Sequence, residues 1–415
     1  MNCKISKSWF KKVSKLVLLN AALFSLFVVL LEIGSFFYLE VNRRSLLPDR
    51  FPEYSNVLKH SSIDENRFWD HIFNVESLIE EVGDVRELNP ETLYSYKPDL
   101  TTETYFTNSL GMLDEEPVEF GKTALLIGAS VAAGQMPRNA SLNIDDYLEK
   151  YLNEGSGGVG SESYIQVLNG AVGGYVSSQE VYRARQLLNE FVPKCIFVVN
   201  GANDIDVALR LSESLDVRSY DSHHSVRLRE EIQLSVDMGQ NWFASAWYFL
   251  QTYPLRSSYL IRLIEFVGQS HPEPNVSIPN SFAGIAPNSP ELSQLVNSVV
   301  DRYIDNLKVL SLFSTNYGVN KVIVGLQPTI YGDKPLTPLE ASFTKSEVHK
   351  ALYKQVYREL KTRIVELDLP NVFLTRIDES FDEIKEDLFR DEVHFLEKGN
   401  EIIARGLLAK GHSCE

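Results

Sequence analysis

Cysteine is scarce: three in 415 residues, at Cys3, Cys195 and Cys414. Their wide spacing, with no CxxC pair and no histidine beside them at metal-ligand distance, excludes a zinc ribbon and a dense disulfide framework. Cys195 opens an apolar run (CIFVV), where buried free cysteines commonly sit, so cysteine usage alone leaves the compartment open. A surplus of positive charge is also missing. Acidic residues outnumber basic ones by 56 to 40, and the basic ones form no stripe interleaved with aromatics. A nucleic acid is therefore excluded as a partner. No internal repeat is visible, and long hydrophobic runs are missing with one exception.

That exception lies at the N-terminus. Lys4, Lys7, Lys11, Lys12 and Lys15 precede a stretch from Leu16 to Tyr38 that is apolar except for Asn20, two serines and Glu32. Its length suits one membrane span, at about 20 residues per bilayer core. A cleavable signal peptide would have an apolar region of about 7–15 residues and a small-x-small cleavage site, and SFFYLEVNRR supplies none. An uncleaved anchor is the expectation. Five lysines before the span, against Arg43 and Arg44 after it, put the N-terminus in the cytoplasm and the rest of the chain outside. Glu32 near the outer end of this helix reaches the interface or marks an intramembrane partner.

Three parts follow: a cytoplasmic tip and transmembrane anchor (1–40), a stalk and lead-in segment (41–100), and a main domain (101–411). The stalk is mixed and charged, apart from a short helix predicted in FWDHIFNVESLIEEV. In the main domain, apolar runs alternate with amphipathic stretches: TALLIG, then DDYLEKYL; YIQVLNG, then SSQEVYRARQLLNEF; CIFVVNG; KVIVGLQ; NVFLTRI, then EKGNEIIARGLLA. Continuous apolar strands between amphipathic helices predict an α/β fold, a doubly wound parallel sheet of about five strands. The alternation breaks over residues 205–290. A structureless loop of that length does not belong in a compact domain, so this interval, rich in Trp and Tyr, reads as a helical insertion beside the binding crevice.

Four polar sites follow the strands. The first strand ends in Gly128-Ala129-Ser130, where a strand-to-helix turn would expose a serine hydroxyl beside free helical N–H groups. A strand end with a serine cap explains the same letters. The second strand runs into Asn169-Gly-Ala-Val-Gly-Gly174, whose glycines let a backbone N–H approach a substrate, or simply form a turn. The third ends in Gly201-Ala-Asn203-Asp204. Asn203 there is either an oxyanion donor or an Asx-turn residue, and Asp204 reads as a cap. Near the C-terminus stands Asp391-Glu-Val-His394. An Asp three residues before a His can take its Nδ1 proton and leave Nε2 free to accept one from a serine, although a capping Asp beside a surface His has the same spacing.

In this order, on a sheet that gathers them at one edge, the four sites resemble the SGNH (GDSL-like) hydrolase superfamily over roughly residues 105–410. The resemblance implies Ser130 as nucleophile, Asp391 and His394 as the base pair, and an oxyanion hole from Ser130, Gly174 and Asn203. It implies neither a cofactor nor a metal. Two features depart from the pattern: Gly-Ala-Ser stands for Gly-Asp-Ser, and the second block leaves Gly173 and Gly174 as rivals, with spacing from Asn169 favouring Gly174. Thr107–Met112 (TNSLGM) is similar to the lead-in strand of members associated with bacterial surface polysaccharides. The expected activity is that of a membrane-anchored serine esterase acting outside the cytoplasm on O-acyl, chiefly O-acetyl, groups of cell-envelope carbohydrate. The partners are then an acylated glycan and envelope polysaccharide machinery. The alternatives are an O-acetyltransferase, a lipase or thioesterase, and a non-catalytic carbohydrate-binding component of an export complex. His223-His224 reads as a polar loop, and the sequons at Asn139 and Asn275 carry meaning only in a eukaryotic secretory pathway.

Overall fold

All five apolar runs form strands, the inner ones with side chains buried on both faces, as a helix-covered sheet requires, and the last only half-buried at the sheet edge. They are β3 (Lys122–Gly128), β4 (Ile165–Asn169), β5 (Cys195–Asn200), β6 (Val322–Leu326) and β7 (Val372–Thr375), all parallel, in the spatial order β4-β3-β5-β6-β7. Every residue of β4, β5 and β6 is buried. Each fully buried Val, Ile or Leu contributes roughly 1.5–3 kcal/mol, so this layer is the stability core. The computed structural model describes residues 7–42, 85–101, 106–118, 122–134, 142–155, 161, 163–211, 286–344, 346–409 and 414.

The fold class is thus the doubly wound α/β sheet that the alternation predicts. Strand order reverses between β3 and β5, and in such sheets the crevice outside the carboxyl ends at that reversal is the binding place. The segments after β3, β4 and β5 are therefore neighbours there.

Among the described residues the helices are α1 (Lys7–Asn42), α2 (Ser130–Ala133), α3 (Ile144–Leu152), α4 (Ser177–Leu188), α5 (Ala202–Leu211), α6 (Pro290–Asn316), α7 (Pro338–Ser342), α8 (Glu347–Glu366) and α9 (Glu397–Leu407). The long helices α6 and α8 were not singled out in the sequence, yet both carry start signals. Ser289 accepts a hydrogen bond from the Leu292 N–H at 3.2 Å, with proline at the first helical position of α6. Ser346 accepts one from the His349 N–H in the same way at the start of α8.

Residues 1–55 with 231–278 form one compact unit, and 56–230 with 279–415 another. Of the first, only α1 is described. Its segment Leu19–Tyr38 is long and apolar enough to cross a membrane, a test that a signal sequence also passes. Twenty residues at 1.5 Å each span about 30 Å, the thickness of a bilayer core. Its apolar side chains are mostly exposed, and Ser35 satisfies its hydroxyl by donating to the Leu31 carbonyl at 2.8 Å. The predicted stalk helix, His223-His224, both sequons and most of the expected insertion (212–285) lie outside the described residues.

Two expectations for the lead-in region change. The stretch before residue 100 contains a hairpin, β1 (Arg86–Asn89) and β2 (Leu93–Tyr96), antiparallel through the turn Pro90–Thr92. Thr107–Met112 forms no strand. Asn108 bends it into a turn by accepting the N–H groups of Leu110 and Met112 on its side-chain oxygen at 3.0 and 3.1 Å. A side chain that binds its own following backbone competes with strand pairing.

Candidate active site

At the end of β3 the chain must pass close to β5 and turn at once into α2. Gly128 permits this. A Cβ there would stand 2.2 Å from the Val199 carbonyl oxygen, at φ +156°. Ser130 follows as the first residue of α2, half-exposed, where its N–H has no helical acceptor. Its Oγ lies 2.8 Å from Nε2 of His394, and Nδ1 of His394 lies 2.7 Å from Oδ2 of Asp391. Three residues separated by up to 264 positions thus form one hydrogen-bonded chain.

The Asp391–His394 half is built largely from its own segment. Asp391 turns back on its own segment, its Oδ1 accepting the N–H groups of Val393 and His394 at 2.9 and 2.8 Å. The segment closes as a short antiparallel loop, with Phe389 bridged to Phe395 and the Arg390 N–H donated to the His394 carbonyl at 3.1 Å. Phe381, Phe389 and Phe395 pack edge-to-face beneath it at 5.1–5.5 Å between ring centroids, an arrangement that adds to simple burial. From the end of β6, the Gln327 amide donates to the Val393 carbonyl at 2.7 Å.

Burial pushes the Asp391 carboxyl up, but the His394 ring with its hydrogen bond, the Arg390 charge and the Val393 N–H outweigh it. They hold the group well below the usual carboxylate range. An ionised Asp391 fixes the tautomer that leaves Nε2 facing Ser130.

In the loop after β4 the two rival glycines differ in their surroundings. The Gly173 N–H is already donated to the Tyr96 hydroxyl at 3.2 Å, whereas the Gly174 N–H has no partner among the described residues. Gly174 sits at φ +86°, and a Cβ on it would lie 2.8 Å from the Tyr94 hydroxyl, so only glycine fits. A Cβ on Gly173 would come 3.9 Å from the Ser130 Cα, which places this loop against the turn that carries Ser130. Asn169 ties the two together by donating to the Ala132 carbonyl at 2.9 Å.

Asn203, in the first turn of α5, donates one amide hydrogen to the Tyr175 carbonyl at 2.8 Å. A primary amide has two, and the second is free of that bond. Asp204 is turned away from this chemistry. Fully buried, its carboxylate caps the neighbouring helix by accepting the Ser177 N–H at 3.2 Å and the Ser177 hydroxyl at 2.5 Å. Burial, partly offset by these bonds, pushes it up to about 6.

Sequence reading missed the hairpin residues that grip the Gly173 peptide, and it missed a disulfide. Arg86 and Tyr94 both donate to the Gly173 carbonyl. A signal was present in the Asn-Pro dipeptide between RELN and LYSY, a turn between two short strands. The disulfide joins Cys195 to Cys414, both buried, which corrects the reading of Cys195 as a free buried thiol. The predicted topology contained the clue, since with Cys3 before the span these are the two cysteines left beyond it. Among the described residues, no three His, Cys, Asp or Glu side chains gather at metal-binding spacing.

No protein-family model and no curated protein matches the chain. Among solved structures it is similar to an acetylxylan esterase from Geobacillus stearothermophilus (15% identity, 71% of this chain and 97% of that one, TM-score 0.36). It is also similar to a member of the lipolytic G-D-S-L family from Veillonella parvula (12%, 70% and 97%, TM-score 0.36). A third likeness is to an α/β hydrolase from the metagenome of Lake Arreo (12%, 71% and 96%, TM-score 0.32).

Proposed function

We propose that the protein is a serine esterase of the SGNH type, working outside the cytoplasm on O-acyl, chiefly O-acetyl, groups of cell-envelope carbohydrate. The observation that carries this reading is the chain from Ser130 Oγ through His394 to Asp391, at 2.8 and 2.7 Å. A capping serine or a surface histidine requires no such chain.

Ser130 Oγ attacks the ester carbonyl carbon while His394 Nε2 takes its proton. The carbonyl oxygen becomes an oxyanion, met by the N–H groups of Ser130 and Gly174 and the second amide hydrogen of Asn203. Collapse breaks the bond to the sugar oxygen, which takes the proton from His394 and leaves as the free hydroxyl. Water then adds to the acyl-enzyme by the same route, releasing the carboxylic acid and restoring Ser130. A sugar hydroxyl in place of that water would make the same acyl-enzyme an O-acetyltransferase.

Location outside the membrane is supported by the lysine-flanked span and by the Cys195–Cys414 disulfide, since such bonds persist in oxidising compartments. Full-length protein in detergent, incubated with acetylated oligosaccharides, should release acetate, and the Ser130→Ala protein should release none. Equal release by the two would overturn the reading.

A further inference from the structure

The strongest unassigned feature around the site is the hairpin β1–β2, whose side chains converge on one carbonyl. Arg86 donates from Nη2 to the Gly173 oxygen at 2.9 Å, and the Tyr94 hydroxyl donates to the same oxygen at 3.1 Å. This carbonyl belongs to the same peptide unit as the Gly174 N–H. A trans peptide is planar, so its N–H points opposite its C=O. Two donors that fix where the Gly173 oxygen points therefore fix where the Gly174 hydrogen points. They also polarise the unit. Positive charge at the oxygen draws electron density from the amide, and hydrogen bonds in series strengthen one another.

We infer that Arg86 and Tyr94 are positioning residues for acyl transfer, aiming and strengthening the Gly174 N–H as an oxyanion donor by holding the carbonyl end of its peptide. This rests on the esterase reading of the same site. Several contacts show the grip to be built rather than incidental. The Arg86 guanidinium lies 4.6 Å from the centre of the Tyr94 ring, and Tyr94 packs edge-to-face on Tyr175 at 5.2 Å. The Tyr175 hydroxyl donates to the Tyr94 carbonyl, and Tyr96 accepts the N–H on the other side of Gly173. Gly174 needs glycine both for its φ of +86° and for the closeness of the Tyr94 hydroxyl. The loop thus adopts a conformation open only to glycine at this position, and the hairpin contacts hold it there.

The test compares Tyr94→Phe, Arg86→Met and Arg86→Lys in the full-length protein on p-nitrophenyl acetate. Removing an oxyanion donor outright costs about 10²–10³ in kcat, so misaiming one should cost about 10- to 100-fold. Tyr94→Phe and Arg86→Met should lower kcat by that amount with KM within about 2-fold, because the oxyanion is absent from the bound ester and develops only on the way through the transition state. Arg86→Lys should recover part of the loss. Gln179→Met serves as the comparison. Gln179 donates to the Thr92 carbonyl at 2.7 Å, so its loss removes one tie to the turn of the hairpin and leaves both donors on the Gly173 carbonyl in place. It should lower the melting temperature and keep wild-type kcat. Wild-type kcat in folded Tyr94→Phe and Arg86→Met would overturn the inference and leave the esterase reading standing. An equal kcat loss in Gln179→Met would also overturn it. Full activity in Ser130→Ala would remove the reading and the inference together.

Discussion

The two halves of the site are held in opposite ways. The half around Asp391 and His394 is held chiefly by local bonds: Asp391 binds the backbone of its own turn as well as the His394 ring, with the Gln327 amide as a tie from the end of β6. The oxyanion half is held from a distance, with Gly173 gripped by side chains 79 and 87 positions upstream. A local motif keeps its shape when its surroundings change. A remotely held one depends on the fold being complete. Damage around Asp391 and His394 should therefore appear as lost chemistry in a folded protein, and damage around Gly173 as graded loss that follows the two side-chain donors on its carbonyl.

The sharpest way to break the contrast is Asp391→Asn. The Asn oxygen can still accept the Val393 and His394 N–H groups, but its amide nitrogen cannot accept the Nδ1 proton. The turn should survive while the imidazole is left in the wrong tautomer. Loss of kcat by about 10⁴-fold with an unchanged melting temperature is expected. Unfolding instead would show the Asp391–His394 half to depend on that single bond. Ser130→Ala and His394→Ala should each cost about 10³-fold or more, and the double variant little beyond either, because nucleophile and base act as one unit. Multiplicative losses in that cycle would contradict their pairing. Asn203→Ala, in the oxyanion half, should cost less, about 10²–10³ in kcat.

Far smaller effects on rate are expected away from the carboxyl edge. Cys195 begins β5, at the opposite end of the sheet from Ser130, and is bonded to Cys414. Cys414→Ser should lower stability by about 2–5 kcal/mol in denaturant titrations while kcat stays near wild type. A large fall in kcat would show that the two ends of the sheet are coupled.

The smallest effect is one of pH. Asp204 has its folded value pushed from an ordinary 3.8 up to about 6 by burial. Between those values the folded protein keeps a proton that the unfolded chain has lost, so this group's contribution is greatest at low pH and is lost as pH rises through about 6. Asp204→Asn should flatten the fall in melting temperature over that window relative to wild type. Glu180, buried nearby and hydrogen-bonded by Asn200, is pushed up by the same burial and by the Asp204 charge. It adds to the slope in the same direction. An identical slope in Asp204→Asn would remove Asp204 as its source.

The same contrast explains what could be read from the chain beforehand. The strands were legible because residues buried on both faces write continuous apolar runs, and the half-buried edge strand β7 keeps enough of that pattern to be read with them. Asp391 with His394 was legible because the bond between them spans three positions. Spacing from Asn169 favoured Gly174 over Gly173 only through the family resemblance; the Tyr96 hydroxyl that occupies the rival's N–H lies 77 positions away, and no spacing within the loop encodes it. Arg86 was illegible for the same reason. Nothing beside it in sequence indicates that its guanidinium meets a glycine carbonyl beyond β4. Asp204 was read as the cap of its own loop, whereas the segment it bonds is the start of α4, 27 residues earlier.

The central claim is that Ser130 becomes acylated, and trapping that covalent state tests it most directly. Full-length protein should be treated with a fluorophosphonate, and separately with p-nitrophenyl acetate followed by rapid acid quench, then digested and mapped by mass spectrometry. The predicted result is one modified peptide, with the adduct on Ser130 in wild type, weak labelling in His394→Ala, and none in Ser130→Ala. An adduct on another serine, or an unmodified Ser130 in protein that turns over the ester, would contradict it.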